Sequence, residues 1–176
     1  MSLFLSPNGR IDQGTYWRGV LILFAISAAL AAASAYVSVA ISFLGIVFAW
    51  PWIAVHVKRF HDAGKTGWLT IAMVVLAIVV SVVASAILTP ILGGNVEALQ
   101  EEMTEEMMNM GDDPGAIMKV TMDYTKKISQ AQLVPSILST GIVTGVVGAV
   151  MGLFKSDPGP NQYDVGVVNP TDTTFS

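Results

Sequence analysis

Arg59, His61 and Asp62 fall together in the run Val57-Lys58-Arg59-Phe60-His61-Asp62-Ala63-Gly64-Lys65-Thr66-Gly67-Trp68. A guanidinium grips carboxylates and phosphates through two parallel N–H bonds, and an imidazole titrates near neutrality. One histidine beside one aspartate, with no nucleophile in the run, does not make a hydrolytic triad. The chain has no cysteine, which excludes thiol catalysis, disulfides, iron-sulfur clusters and thiolate zinc sites. Its two histidines, His56 and His61, are too few for a metal centre of their own. Met103, Met107, Met108 and Met110 offer thioethers suited to Cu(I), but the same residues serve as adaptable helix contacts. Neither a catalytic activity nor a metal or cofactor is expected.

The elements that carry these residues follow from composition. Charged residues make up 12% of the chain and hydrophobic ones 53%, whereas a soluble globule is about a quarter charged. Residues 19–55, 66–96 and 128–154 contain no Asp, Glu, Lys or Arg. About 20 residues of helix cross a bilayer core of roughly 30 Å. The first stretch is therefore too long for one crossing and divides into two antiparallel helices, near 19–35 and 41–56. Their connection around Tyr36–Ser42 has neither Gly nor Pro. A third helix is expected over 67–88, ending before Thr89 and Pro90, and a fourth over 135–154, which leaves the 57–68 run in a short loop between the second and third. Arg10 and Arg18 ahead of Val20–Leu30, with Ala31, Ala33 and Ala35 behind, have the shape of a secretory signal. The apolar run continues to Val55, however, and reads as uncleaved membrane helix.

The fold class is thus an all-α integral membrane protein with four transmembrane helices and an amphipathic helical insert between the third and fourth. The insert, 89–132, is acidic and rich in methionine, and is expected to be a periplasmic helical hairpin whose apolar faces meet each other, the membrane surface or a partner. It carries Glu97, Glu101, Glu102, Glu105, Glu106, Asp112, Asp113 and Asp123 against Lys119, Lys126 and Lys127. Val96, Leu99, Met103, Met107 and Met110 recur at helical spacing, and Asp113-Pro114 reads as the cap and first residue of a second helix. In the fourth helix Gly141, Gly145, Gly148 and Gly152 share one face, fit for close packing against another helix. Arg10, Arg18, Lys58, Arg59, Lys65 and Lys155 all lie at one side of this topology, with Trp17, Trp50, Trp52 and Trp68 at the same helix ends. The positive-inside rule makes that side cytoplasmic and puts both termini there, in a bacterial inner membrane.

The 57–68 run, Gly9-Arg10 followed by Tyr16-Trp17, and the tail Pro158-Gly159-Pro160-Asn161-Gln162-Tyr163 together resemble the inner-membrane proteins of domain-of-unknown-function family 805. The resemblance implies a small polytopic membrane protein and no particular reaction. Two positions depart from the family pattern. Gln13 stands where a basic residue is usual, and Asp164 follows Tyr163 where glycine is common; the segment 89–132 is an elaboration.

In the four-helix topology the three blocks converge. Arg10, Arg59, His61, Asp62 and Asn161 are expected to form one hydrogen-bonded cluster, with Gly64 and Gly67 freeing the backbone for a tight turn. One reading makes the cluster a staple for loop, N-terminus and tail. The other makes Arg10, Arg59 and Lys65 a site for an anionic lipid headgroup or partner. The net charge of -4 argues against nucleic acid. Ion-coupled transport needs ionisable groups at mid-membrane, and these helices offer only His56 near an end. The expected role is an accessory or scaffold subunit contacting a larger membrane complex, or a homo-oligomer, through the glycine face or the insert. The alternative is a lipid or small-molecule handling protein or transporter component built on the basic cluster.

Overall fold

The computed structural model describes residues 3–111 and 113–164, so Asp112 of the acidic segment lies outside the described residues. Among these the chain is all helical: α1 Gln13–Tyr36, α2 Leu44–Asp62, α3 Thr70–Leu92, α4 Val96–Asn109, α5 Pro114–Ala131 and α6 Leu133–Gly152. Among the described residues four segments are long and apolar enough to cross a membrane: α1, α2 with the 3₁₀ turn before it, α3 with the 3₁₀ turn before it, and α6. Only 6% of the apolar window of the Gly67–Leu92 span is buried. Ile71, Val75, Ile78, Val82 and Ile87 point outward, which is stable only where the solvent is hydrocarbon. This is a multi-pass membrane protein.

Capping explains where the helices begin and end. Asp12 caps α1, its Oδ1 accepting the Thr15 backbone N–H at 2.9 Å and its Oδ2 the Thr15 hydroxyl at 2.8 Å. These two bonds, the backbone one first, hold the Asp12 carboxyl below its ordinary range. A depressed carboxylate stabilises the fold at pH values above its unfolded pKa and loses that contribution as pH falls through the lower, folded value. Asp12→Ala is expected to lose about 1 kcal/mol at neutral pH. The gap to the native chain in thermal unfolding should close in strong acid, while Asp12→Asn should keep the cap and flatten the pH dependence.

The connection without Gly or Pro is built on Ser38. Its extended backbone (φ -158°) and its hydroxyl, which accepts the Ala40 N–H, start the 3₁₀ turn Val39–Phe43. Helix α2 therefore begins at Leu44 rather than 41. It also runs on to Asp62 rather than stopping at 56, so Lys58, Arg59, His61 and Asp62 lie on its last two turns and not in a loop. The loop is the short stretch 63–66, closed by Gly64 at φ +66°. Helix α3 likewise continues past Pro90, because a proline so near the end of a helix displaces few backbone bonds. Its stop is Gly93-Gly94, where Gly93 N–H reaches Thr89 C=O and Gly94 takes φ +59°.

The chain divides into two compact units, Met1–Leu23 with Phe48–Ile78 and Thr144–Ser176, and Phe24–Val47 with Val79–Val143. In the first, Tyr16, Val20 and Leu23 of α1, Ala54, Val55 and Phe60 of α2, and Val147 and Met151 of α6 are buried. A Cβ on Gly148 would overlap the Trp17 ring, and one on Gly152 would sit 3.2 Å from Gln13 Nε2. Gly145 of the same unit meets nothing within 4 Å, and in the second unit Gly141 faces the Phe24 ring at 3.6 Å. The partner of the glycine face at 141, 148 and 152 is thus α1 of the same chain. Ser85 and Ser139 join α3 to α6 with hydroxyls 3.4 Å apart, the interhelical polar contact that hydrocarbon surroundings favour.

Also in the second unit, α4 packs along α5 with Val96, Val120 and Tyr124 buried. Asp113 Oδ1 accepts the Gly115 N–H at 2.9 Å, with Pro114 in the first turn. Burial, and then a hydrogen bond to the Glu106 carboxylate, raise the Tyr124 hydroxyl above its usual pKa.

Candidate functional site

A helix leaves its last four carbonyls without intrahelical partners, and at α2 those belong to Arg59, Phe60, His61 and Asp62. The Ala63 N–H reaches Arg59 C=O at 3.3 Å, Lys65 N–H reaches Phe60 C=O at 2.9 Å, and Gly64 N–H reaches His61 C=O at 3.0 Å. The remaining bonds come from the far end of the sequence. Asp157 N–H donates to Asp62 C=O at 2.7 Å, and Asn161 Nδ2 donates to His61 C=O at 3.0 Å. The tail after α6 therefore finishes the end of α2.

Side chains lock that arrangement. Arg59 is 0% exposed, and its Nη1 lies 2.5 Å from Asp62 Oδ2 and 3.2 Å from Ser156 Oγ. Its Nη2 donates to Phe154 C=O. Ser156 in turn donates to the same Asp62 oxygen at 2.5 Å. Arg10 approaches Asp62 from the other side, Nε to Oδ1 at 3.6 Å, and reaches Asp164 Oδ1 at 3.2 Å. Its two terminal nitrogens donate to Gly159 C=O at 2.9 Å and Asp157 C=O at 3.3 Å. Burying a carboxylate without partners is costly, and Asp62 is 4% exposed between two guanidiniums and a hydroxyl.

His61 joins the third block. A carbonyl only accepts, so His61 Nδ1 carries the proton it donates to Gly9 C=O at 3.0 Å. Gly9 presents that carbonyl from a turn at φ +86°. An aromatic ring covers the imidazole: the Tyr163 ring stacks on it with centroids 3.8 Å apart and planes within 2°. Gly67 is small by necessity, because a Cβ there would lie 2.7 Å from Val57 Cγ1 and 3.2 Å from His61 Nε2.

Of the residues singled out in the sequence, the structure brings Arg10, Arg59, His61, Asp62 and Asn161 into this one cluster. Lys65 stands at its rim, exposed, with Nζ 5.8 Å from the centre of the Phe154 ring. Ser156 and Asp157 carry only the turn signal of Ser-Asp ahead of Pro-Gly-Pro, and Asp164 stands in the sequence only as a departure from the family pattern. A second pair was also missed. His56 donates from Nδ1 to Trp52 C=O at 2.7 Å, which leaves Nε2 to accept the Tyr16 hydroxyl at 3.2 Å. Both are buried, at 7% and 1% exposed. Its sequence signal is Tyr16 in the Gly9–Trp17 block and His56 at the edge of the 57–68 run.

The chemistry this geometry offers is limited. The Ser156 hydroxyl is directed at Asp62 and Arg59, and both imidazoles hold backbone carbonyls, so no serine is paired with a histidine here. No group of three or more His, Asp or Glu suited to a metal occurs among the described residues.

The three blocks that meet here are also what the family comparison matches. The family described as "Protein of unknown function (DUF805)" covers residues 4–165, nearly the whole chain. The chain belongs to the DUF805 family. No curated protein and no solved structure matches it. Within DUF805, the two departures noted in the sequence both have structural consequences. Asp164 supplies Arg10 with its second carboxylate, and Gln13 lies over Gly152.

Proposed function

We propose that this DUF805 chain is a non-catalytic accessory or scaffold subunit of a bacterial inner membrane, held against a larger membrane protein complex, with both termini cytoplasmic. The observation that carries the reading is the inward closure of the charged cluster. Arg59 is fully buried with both terminal nitrogens on acceptors of its own chain and only Nε without one, and Arg10 is occupied by Asp62, Asp164 and two tail carbonyls. An anion-binding site needs donors left to give, so closure favours a staple over the lipid-headgroup or small-molecule reading. The basic residues Arg10, Arg18, Lys58, Arg59, Lys65 and Lys155 support the orientation. Because α1 occupies the glycine face at three positions, contact with a partner is assigned to the exposed rows of α3.

Purification from native membranes in mild detergent tests the role. A stoichiometric protein partner is the expected result, and a homo-oligomer carrying bound anionic lipid would overturn it in favour of lipid handling. Reporters fused after Ser176 and inserted near Gly111 test the orientation. Cytoplasmic activity is expected at the first and periplasmic activity at the second.

A further inference from the structure

Met118, Met122, Lys126 and Gln130 follow one another at steps of four along α5 and so form a single ridge. The helix buries its other side, through Val120 and Tyr124, in the packing with α4. The ridge is not covered: Met118 is 63% and Met122 62% exposed, and Lys126 is exposed as well. Its last residue fixes where it stands. Gln130 Nε2 donates to the Ala35 carbonyl at 3.1 Å, at the end of a membrane-spanning helix, and α5 also packs against the turn Val39–Phe43. Around that turn Tyr36, Val37 and Phe43 are 61%, 73% and 70% exposed, an apolar rim at the edge of the spans.

Lys126 is one helical turn from Gln130, about 6 Å along the axis, and so within reach of headgroup phosphates at that rim. Lys119 stands on the same side as Lys126, seven residues before it. Beside the ridge opens a cavity of about 310 Å³, where Lys126, Lys127 and Gln130 meet Glu106 and Asp123. Lysines there suit a phosphate, and carboxylates accept from headgroup hydroxyls. Methionine side chains between lysines match an interfacial helix that sinks its apolar side to the acyl boundary. A ridge of four side chains falls short of the roughly 800 Å² that a stable protein interface takes from each partner.

We infer that α5 lies on the bilayer surface beside the α1–α2 connection, seated through the ridge Met118–Met122–Lys126–Gln130 on anionic phospholipid with a hydroxylated headgroup. This holds whether or not the chain is an accessory subunit.

The absence of cysteine makes the test direct. Met122→Cys, labelled with an environment-sensitive fluorophore, is reconstituted as the full chain in vesicles of phosphatidylcholine, with and without phosphatidylglycerol. Met118→Cys gives a second label on the ridge should the first variant fold poorly, and Glu101→Cys on α4 is the reference. With phosphatidylglycerol present, the ridge label should shift to the blue and be quenched by headgroup nitroxide lipid, while the α4 label stays open to aqueous iodide. Adding Lys126→Gln should lower the lipid-seated population about fivefold, the effect of one surface lysine. Iodide quenching at 122 equal to that at 101, or protection indifferent to phosphatidylglycerol, overturns the inference. Protection that appears only with a co-reconstituted protein partner overturns it too, and assigns the ridge to that partner.

Discussion

Arg59→Met is expected to be the most damaging conservative-volume change in the chain, because it leaves the Asp62 carboxylate and the Phe154 carbonyl buried without their strongest donor. Removing one partner of a buried ion pair typically costs about 3–5 kcal/mol. On the scale of a chain this size, that is roughly 10 °C or more in thermal midpoint. Arg10 at 3.6 Å from Asp62 recovers part of the loss, since it already faces the second carboxylate oxygen. Arg59→Lys should recover little more, because one ammonium cannot reproduce a fork that serves Asp62, Ser156 and Phe154 at once. The informative variant is the double change Arg59→Met with Asp62→Leu. Removing both charges removes the desolvation penalty along with the pair, so the double variant should unfold at a higher temperature than Arg59→Met alone. Thermal unfolding in detergent, followed by loss of the monodisperse species, measures all three. Equal midpoints for Arg59→Met and the native chain would show that the cluster holds nothing together.

What the sequence makes legible here is divided by how local the information is. Bilayer-length apolar runs, the Asp113-Pro114 start and the meeting of three motif blocks can all be read from spacing and charge, because each depends on neighbours in sequence or on the membrane itself. The placement of Arg59, His61 and Asp62 in a loop fails for the opposite reason. Charges interrupt the apolar pattern at Lys58, and nothing nearby shows that α2 continues, because its final carbonyls are satisfied by Asp157 and Asn161, about a hundred residues on. The stop of α3 was sought at Pro90, whereas positive φ at Gly94 was the better signal, since a proline near a helix end removes little. Ser38 was passed over because a serine cap starting a 3₁₀ turn looks like any serine in an apolar run. Glycine spacing showed that α6 has a smooth face but not what covers it; that the cover is Trp17 and Phe24 of α1 depends on the three-dimensional path of the chain.

The glycine face yields the other large effect, and it separates glycines that are needed from glycines that are merely present. At Gly148 an added Cβ meets three carbons of the Trp17 ring at or inside 3.0 Å. The ring cannot simply swing away. Trp17 stands edge-on to Tyr16 at 5.9 Å, and the Tyr16 hydroxyl is bonded to His56, so displacement passes into the buried pair. Overpacking of this kind costs about 1–3 kcal/mol, and Gly148→Ala should fall toward the upper end, with Gly148→Leu beyond it. Gly145 lies one turn away with nothing within 4 Å, and there alanine should be neutral or stabilising by up to about 1 kcal/mol through helix propensity. Trimming the ring in Trp17→Phe should restore part of what Gly148→Ala loses, while doing nothing for the Gly145 variant. The order of midpoints, Gly148→Ala lowest and Gly145→Ala at or above the native chain, is the expected readout of thermal unfolding in detergent. If both substitutions behaved alike, the steps of four and three along α6 would reflect only the general frequency of glycine in membrane helices, and α1 would be held by its other contacts, Tyr16, Val20 and Leu23 among them.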